Sequence, residues 1–148
     1  MNENQQPPTF DEFVALCRHE FAFLAPFGFA EIALPDRPFT NPFQVRFSNG
    51  KLTVVIEGIN WGLAAMTHFE DAAGVEVPDI LFVPRDQRPK PSQRRTSDQR
   101  SEICTAAARI QQFCMPVLTG DLASFYDRAV EWKRVTGRSK PKHSRRLP

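Results

Sequence analysis

Apolar residues near the start of the chain recur at steps of three and four, which is the spacing of one helix face. Thr9 and Glu12 form a capping-box pattern ahead of this run, in which each side chain can bond the backbone of the other residue. The pattern predicts an amphipathic helix that ends before Pro26. Its apolar face consists of Phe10, Phe13, Val14, Cys17, Phe21 and Leu24.

Apolar and polar residues then alternate, which is the period of a strand with one buried face. Residues 43–48 alternate in this way, and residues 51–57 form a second apolar strand pattern. Asn49 and Gly50 lie between them and predict a tight type I′ turn, because both residue types tolerate a positive φ. The two segments therefore predict a β-hairpin.

Three further segments have the composition of strands. Residues 27–34 predict a short strand closed by Pro35, and residues 61–69 predict a longer one. Residues 75–83 predict another strand, which Pro78 restricts to a sheet edge or a bulge because proline cannot donate to the ladder. Together with the hairpin, the longer segments predict an antiparallel meander of four strands.

The last third of the chain returns to helical spacing. Ser97 is predicted to cap a helix, which Pro116 should end or kink. Gly120 and Asp121 predict a break followed by the cap of a last helix, which is predicted to end near Gly137.

These elements predict a single α+β domain over residues 1–137, with a basic, proline-rich linker at about 84–96. We expect a four-stranded antiparallel meander with the N-terminal helix and two C-terminal helices packed on one face. Residues 138–148 contain five basic residues, two prolines and no acidic residue. That composition predicts a disordered basic tail.

Charge is distributed unequally between the two halves of the chain. Residues 1–83 have 4 basic and 11 acidic side chains, whereas residues 84–148 have 15 basic and 6 acidic ones. The acidic half could complement a basic surface, such as that of an enzyme that handles nucleic acid. The basic linker and tail could instead contact phosphates, so a nucleic-acid-associated accessory protein is the alternative hypothesis.

Candidate chemistry is sparse. The sequence contains no G-x-S-x-G, H-E-x-x-H or phosphate-binding glycine motif. His19, His68 and His143 fall on a predicted helix, a predicted strand and the tail, so we expect no metal site. Because the catalytic and cofactor motifs are missing, we also expect no cofactor and no catalytic residue. An enzyme whose site combines scattered residues such as Glu57, His68 and Asp121 is the remaining alternative.

The segment 57–61 combines a carboxylate, an amide and a tryptophan at the end of a predicted strand. Tryptophan is enriched in interface hot spots, so this segment and the nearby acidic residues form the predicted partner-binding surface. A core role for the tryptophan and a turn role for the asparagine are the structural alternatives. The predicted surface comprises Glu57, Asn60, Trp61, Glu70, Asp71, Glu76 and Asp79.

Cysteine usage and the first residues predict the compartment. Cys17, Cys104 and Cys114 are odd in number and lack C-x-x-C spacing, which favours a reducing compartment. The opening MNENQQPPTF lacks the basic start and apolar stretch of a signal peptide, and no apolar run has the length of a membrane span. We therefore expect a cytoplasmic protein with no membrane partner.

Four motifs between Phe21 and Asp121 resemble small bacterial α+β proteins of polymorphic-toxin and secretion-system loci, many of which are immunity proteins. The resemblance covers most of residues 9–135. The resemblance implies a non-catalytic protein that neutralises a cognate toxin by forming a tight heterodimer. The basic linker and tail depart from that pattern. The motifs are Phe21-x-Phe23-Leu24-x-x-x-Gly28-Phe29, Asn41-Pro42-Phe43-x-Val45-x-Phe47, Val54-Val55-Ile56-Glu57-Gly58 and Val117-Leu118-Thr119-Gly120-Asp121.

Overall fold

The fold is taken from a computed structural model that describes residues 9–59, 64–88 and 98–139, with side chains given as far as residue 136. Asn60 and Trp61 lie outside the described residues, as do the predicted linker from residue 89 onward and the predicted tail beyond residue 139. The helices are α1 (Phe10–Glu20), α2 (Gln99–Phe113), α3 (Met115–Leu118) and α4 (Leu122–Ser139). The strands are β1 (Ala30–Ile32), β2 (Gln44–Ser48), β3 (Leu52–Ile59), β4 (Ala64–Asp71) and β5 (Glu76–Pro78).

The capping box at the start of α1 is confirmed. Thr9 Oγ1 accepts a hydrogen bond from Glu12 N at 3.1 Å, and Thr9 N donates to Glu12 Oε1 at 2.8 Å. The α-helix ends at Glu20, earlier than predicted, and a 3₁₀ turn continues over Ala22–Phe27. Pro26 within that turn lacks the N–H that a continuing α-helix would require.

The α+β class and the antiparallel sheet are confirmed, but the predicted strand number is wrong. The strands pair antiparallel in the order β1-β2-β3-β4-β5, which gives five strands instead of four. The additional strand is β1, which joins the meander by pairing with β2, with Glu31 opposite Phe47.

The hairpin between β2 and β3 is confirmed, whereas its turn differs from type I′. Asn49 N donates to Leu52 O at 3.1 Å, so Gly50 and Lys51 are the central residues of the turn. Gly50 has a positive φ of 92° and Lys51 does not, whereas a type I′ turn requires a positive φ at both central residues. Asn49 Oδ1 instead accepts from the backbone N of Lys51 and Leu52, both at 2.9 Å. Asn49 therefore stabilises the turn from the position that precedes its two central residues.

β5 is an edge strand beside β4, as the proline predicts. It ends at Pro78, and the chain continues as a 3₁₀ turn over Asp79–Phe82 and not as a strand to residue 83. The missing proline N–H removes one ladder donor, which limits how far this strand can extend.

The C-terminal helices follow the predicted breaks, with one different cap. Asp98 caps α2 by accepting from Ser101 N at 2.8 Å, in place of the predicted Ser97. α2 ends ahead of Pro116, and Asp121 Oδ1 caps α4 by accepting from Ser124 N at 3.2 Å. None of the described helices has the length and apolar character needed to cross a membrane.

One hydrophobic cluster joins α1, α2 and α4 to a single face of the sheet. Phe13 of α1, Ile110 of α2 and Phe125 of α4 are fully buried in it together with Val54 and Phe69 of the sheet. Because side chains alternate along a strand, the intervening residues lie on the opposite face. That second face carries the candidate site.

Gly58 of β3 is a position at which the close packing of this core leaves no room for a side chain. A Cβ there would lie 2.6 Å from Phe43 Cδ1 and 2.8 Å from Gln99 Nε2. We expect Gly58→Ala to lower the free energy of unfolding by about 1–3 kcal/mol, since overpacking forces neighbours away from their preferred positions. Urea unfolding measures this change. In a Phe43→Ala background the same substitution should cost less, and an equal cost in both backgrounds would contradict the explanation.

Candidate functional site: a polar cleft on the second face of the sheet

The face of the sheet that points away from the helices carries a row of polar side chains. Val45 and Phe47 of β2 enter the core, so Arg46 between them points to the second face. The strand register places Arg46, Val55 and His68 in one row across β2, β3 and β4. Val55 is completely buried although it lies outside the main core cluster.

The segment between β1 and β2 borders a cleft of about 290 Å³ on this face. We call it the polar cleft. It is lined by Pro35, Arg37, Pro38, Phe39, Thr40, Asn41, Gln44, Arg46, Glu57, His68, Glu70 and Glu76.

A continuous hydrogen-bond network forms the floor of the polar cleft. Gln44 Nε2 donates to Asn41 O at 2.7 Å, and Gln44 Oε1 accepts from Arg46 Nε at 2.8 Å. Both terminal nitrogens of Arg46 then bond the two carboxylate oxygens of Glu70, at 3.1 and 3.2 Å. His68 Nε2 lies 3.2 Å from Glu70 Oε2. The bidentate geometry and the shared partners hold these side chains in one arrangement.

This network controls the ionisation of Glu70. The hydrogen bond from His68, assisted by the guanidinium of Arg46, lowers the pKa of Glu70 to about 2, although burial acts in the opposite direction. Glu70 is therefore ionised at neutral pH and cannot act as a proton donor there. Its charge is neutralised by Arg46 within the cleft.

Two other carboxylates line the polar cleft without a cationic partner among the described residues. The side chain of Glu76 has no hydrogen bond or ion pair within the described chain, and the side chain of Glu57 has only a long contact of 3.5 Å to Asn41 Nδ2. Glu76 lies opposite Glu70 in the register, at one end of the cleft. Glu57 lies opposite Gln44 at the other end. The cleft is thus able to accept positive charge at both ends.

His68, Glu70 and Glu76 also form a potential ligand set for a divalent metal. Their ligand atoms lie within 4.8 Å of one another, and imidazole with carboxylate is a donor set that such ions accept. Arg46, however, already bonds both oxygens of Glu70. A metal ion would have to share that carboxylate beside a fixed positive charge, so the arrangement favours a cation that binds Glu57 or Glu76 instead.

Phe39 stands at the rim of the polar cleft in an unusual conformation. Its side chain is fully exposed, at 103% of the reference area, and its φ is 63°. A positive φ is costly for a non-glycine residue, by about 1–3 kcal/mol, and persists where the surrounding structure imposes it. The exposed ring is a candidate contact for a partner.

The structure brings together three of the predicted partner-binding residues. Glu57, Glu70 and Glu76 all line the polar cleft. Asp71 lies outside it, where its carboxylate accepts from Ala73 N and Val75 N at 2.9 Å and stabilises the turn before β5. Asn60 and Trp61 lie outside the described residues.

Asp79 is buried, and this removes it from the predicted surface. Its side chain is 3% exposed, accepts from Thr67 Oγ1 at 2.9 Å and forms an ion pair with Arg109 at 2.8 Å. Burial raises the pKa of Asp79, while Arg109 and Thr67 act against that rise. Its role is in the packing of α2 against the sheet.

Sequence reasoning missed Arg46, Gln44, Asn41 and Phe39 as parts of a site. The positions of Gln44 and Arg46 were predictable, because both alternate with apolar residues and must therefore lie on the same face of the strand. For the scattered catalytic set, the cleft contains Glu57 and His68. Asp121 instead caps α4.

Comparison with known proteins found no matching family model, no matching curated protein and no matching solved structure. The resemblance to immunity proteins therefore rests on the motifs of this sequence alone.

Proposed function

We propose that the chain is a binding protein that recognises a basic segment of a partner protein with its polar cleft. The observation that carries this proposal is the pair of carboxylates, Glu57 and Glu76, that face the cleft without a cationic partner among the described residues. Glu57 is half-buried and Glu76 is exposed, and each carboxylate would be stabilised by the approach of a positive side chain. The neighbouring Arg46–Glu70 ion pair neutralises itself. Arg37 also lines the cleft but forms no ion pair with either carboxylate, so the lining has a net charge of −1.

The spacing of the two carboxylates defines the segment that fits. Glu76 of β5 lies opposite Glu70 of β4, which in turn lies opposite Thr53 of β3. Glu57 lies four residues beyond Thr53 on β3, which corresponds to about 13 Å along the strand direction. Because β3 and β5 are also two strands apart, about 10 Å across the sheet, the two positions are separated by about 16 Å. An extended segment with two basic side chains at that separation could engage both ends of the cleft.

Phe39 supports the assignment to a protein partner. Aromatic side chains supply much of the binding energy at protein interfaces, and this one is fully exposed at the rim. A toxin that handles nucleic acid would present a basic surface of the required kind. Neutralisation of such a toxin, as the sequence resemblance implies, is the specific form of binding that we propose.

The proposal is tested by affinity capture from native lysate with the full-length tagged chain and three variants. We expect one stoichiometric protein to be captured in the presence of nuclease. Glu57→Gln/Glu76→Gln should weaken its binding about tenfold or more, because both ends of the cleft lose their charge. Phe39→Ala should weaken it as well. Asp127→Asn on α4 removes one carboxylate away from the cleft and should leave capture unchanged.

Three results would contradict the proposal. Equal capture by the cleft double variant and by Asp127→Asn would show that the cleft is not the contact surface. Loss of capture on nuclease treatment would favour the nucleic-acid alternative. Loss on addition of a chelator would assign the cleft to a metal ion.

A further inference from the structure

A second cleft lies on the helical side of the molecule, between the helices α3 and α4 and the two 3₁₀ turns that follow β5, Asp79–Phe82 and Arg85–Gln87. It has a volume of about 400 Å³, which is within the size range of small-molecule sites. Three arginines, Arg85, Arg88 and Arg128, line it together with a single carboxylate, Glu131. We call it the arginine cleft.

The charges in the arginine cleft do not balance. Arg128 Nη1 bonds Glu131 Oε1 at 2.9 Å, while Nη2 of Arg85 and of Arg88 lie 3.8 and 3.7 Å from Glu131 Oε2. One carboxylate therefore faces three guanidinium groups, and the cluster has a net charge of +2. Guanidinium groups this close repel one another unless further negative charge is present.

Arg88 is held in position from the protein side. Its Nε donates to Val83 O at 2.8 Å and its Nη2 donates to Leu81 O at 3.2 Å. Its side chain is only 23% exposed. These two bonds leave Nη1 as the nitrogen without a hydrogen bond among the described residues. Little further side-chain entropy would be lost if it bound an anion.

Apart from Ser124, the other residues that line the arginine cleft are apolar. Phe82 and Phe113 both line it and are half-buried. The ring of Phe82 is held by an edge-to-face contact with Phe69, with ring centroids 5.4 Å apart. An inorganic anion alone would leave these ring surfaces in water, whereas an aromatic group attached to the anion would cover them.

We propose that the arginine cleft binds a phosphate monoester attached to an aromatic group. Such a phosphate has a charge of about −1.5 to −2 at neutral pH, which matches the net charge of the cluster. Arginine is the side chain best suited to bind phosphate through paired hydrogen bonds. This site is independent of the polar cleft, and either assignment can fail without the other.

Calorimetric titration of the full-length chain with defined probes tests this proposal. Phenyl phosphate should bind saturably at one site, and phenol or inorganic phosphate should bind at least about tenfold more weakly because each lacks one half of the ligand. Adenosine 5′-monophosphate and phosphotyrosine are titrated alongside. The tighter of the two identifies the source as a nucleotide or a phosphorylated side chain.

Matched arginine variants assign the binding to this cleft. Arg128→Gln should weaken phenyl phosphate about tenfold or more, and the exposed Arg85→Gln should have a smaller effect. Arg100→Gln, at an exposed position of α2, makes the same change in net charge and should have no effect. Circular dichroism confirms that each variant is folded. Equal weakening by Arg100→Gln, or no saturation at about 10 mM phenyl phosphate, would overturn the proposal.

Discussion

Replacing Arg109 with methionine is expected to lower the free energy of unfolding by about 3–5 kcal/mol, because it leaves a buried carboxylate without its positive partner. Asp79 is 3% exposed, and its contact with Arg109 Nε is 2.8 Å. After the substitution, Thr67 is the remaining side-chain hydrogen-bond partner of Asp79. Urea unfolding near neutral pH measures the loss.

The pH dependence identifies the cause of this loss. Burial raises the pKa of Asp79, and removal of Arg109 should raise it further. A pKa that is higher in the folded state than in the unfolded chain means that protonation of Asp79 stabilises the fold. This stabilisation is present at low pH and is lost as the pH rises. The cost of Arg109→Met should therefore shrink as the pH is lowered.

The double variant Arg109→Met/Asp79→Asn is the control. It replaces the uncompensated charge by a neutral amide that can still bond Thr67, so it should recover much of the lost stability. If the single and double variants are equally unstable at all pH values, the loss comes from packing of the arginine side chain and not from the charge on Asp79.

Local features of this fold are predictable from sequence because they depend on neighbours within a few residues. The reciprocal bonds of Thr9 and Glu12 span three positions, and the break at Pro116 follows from one missing N–H. The hairpin follows from the alternation of residues 43–48 and 51–57 around Gly50. The shift of its turn by one residue was not predictable from composition, since it depends on which backbone groups Asn49 Oδ1 accepts from.

The site depends on contacts that sequence patterns do not specify. Glu70 and Arg46 are 24 positions apart, and their ion pair forms because β2 and β4 flank β3 in a particular register. Asp79 and Arg109 are 30 positions apart and meet across the interface between a 3₁₀ turn and α2. Both carboxylates were predicted as exposed partner contacts, because an acidic residue in a sequence gives no sign of a distant arginine.

The two clefts give the molecule two surfaces with opposite preferences. The polar cleft on the sheet has carboxylates that attract positive groups, and the arginine cleft near α4 has a net charge of +2. The charge difference between the two halves of the sequence therefore has a structural counterpart.

Replacing Arg46 with methionine should also lower the free energy of unfolding by about 3–5 kcal/mol, because Glu70 then remains buried with only His68 as a partner. The side chains of Arg46 and Glu70 are 10% and 11% exposed. In the wild type the pKa of Glu70 is lowered from 4.5 to about 2. A lowered pKa stabilises the fold above the ordinary value, and that contribution is lost as the pH falls toward about 2. Without Arg46 the pKa of Glu70 should rise, so the stabilities of wild type and variant should converge in acid.

Urea unfolding at about pH 7 and about pH 3 measures this convergence. Arg18→Met is the matched control, since Arg18 makes a similar paired contact with Glu31 on the surface, where its side chain is 60% exposed. Exposed ion pairs contribute little, so its effect should be far smaller. Arg46→Met/Glu70→Gln should recover much of the stability lost in the single variant. The opposite outcome is that the double variant loses as much stability as the single variant, with no dependence on pH. Arg46 would then act through the packing of its apolar stem over Val55, and the ion pair would have no part in holding the polar cleft in shape.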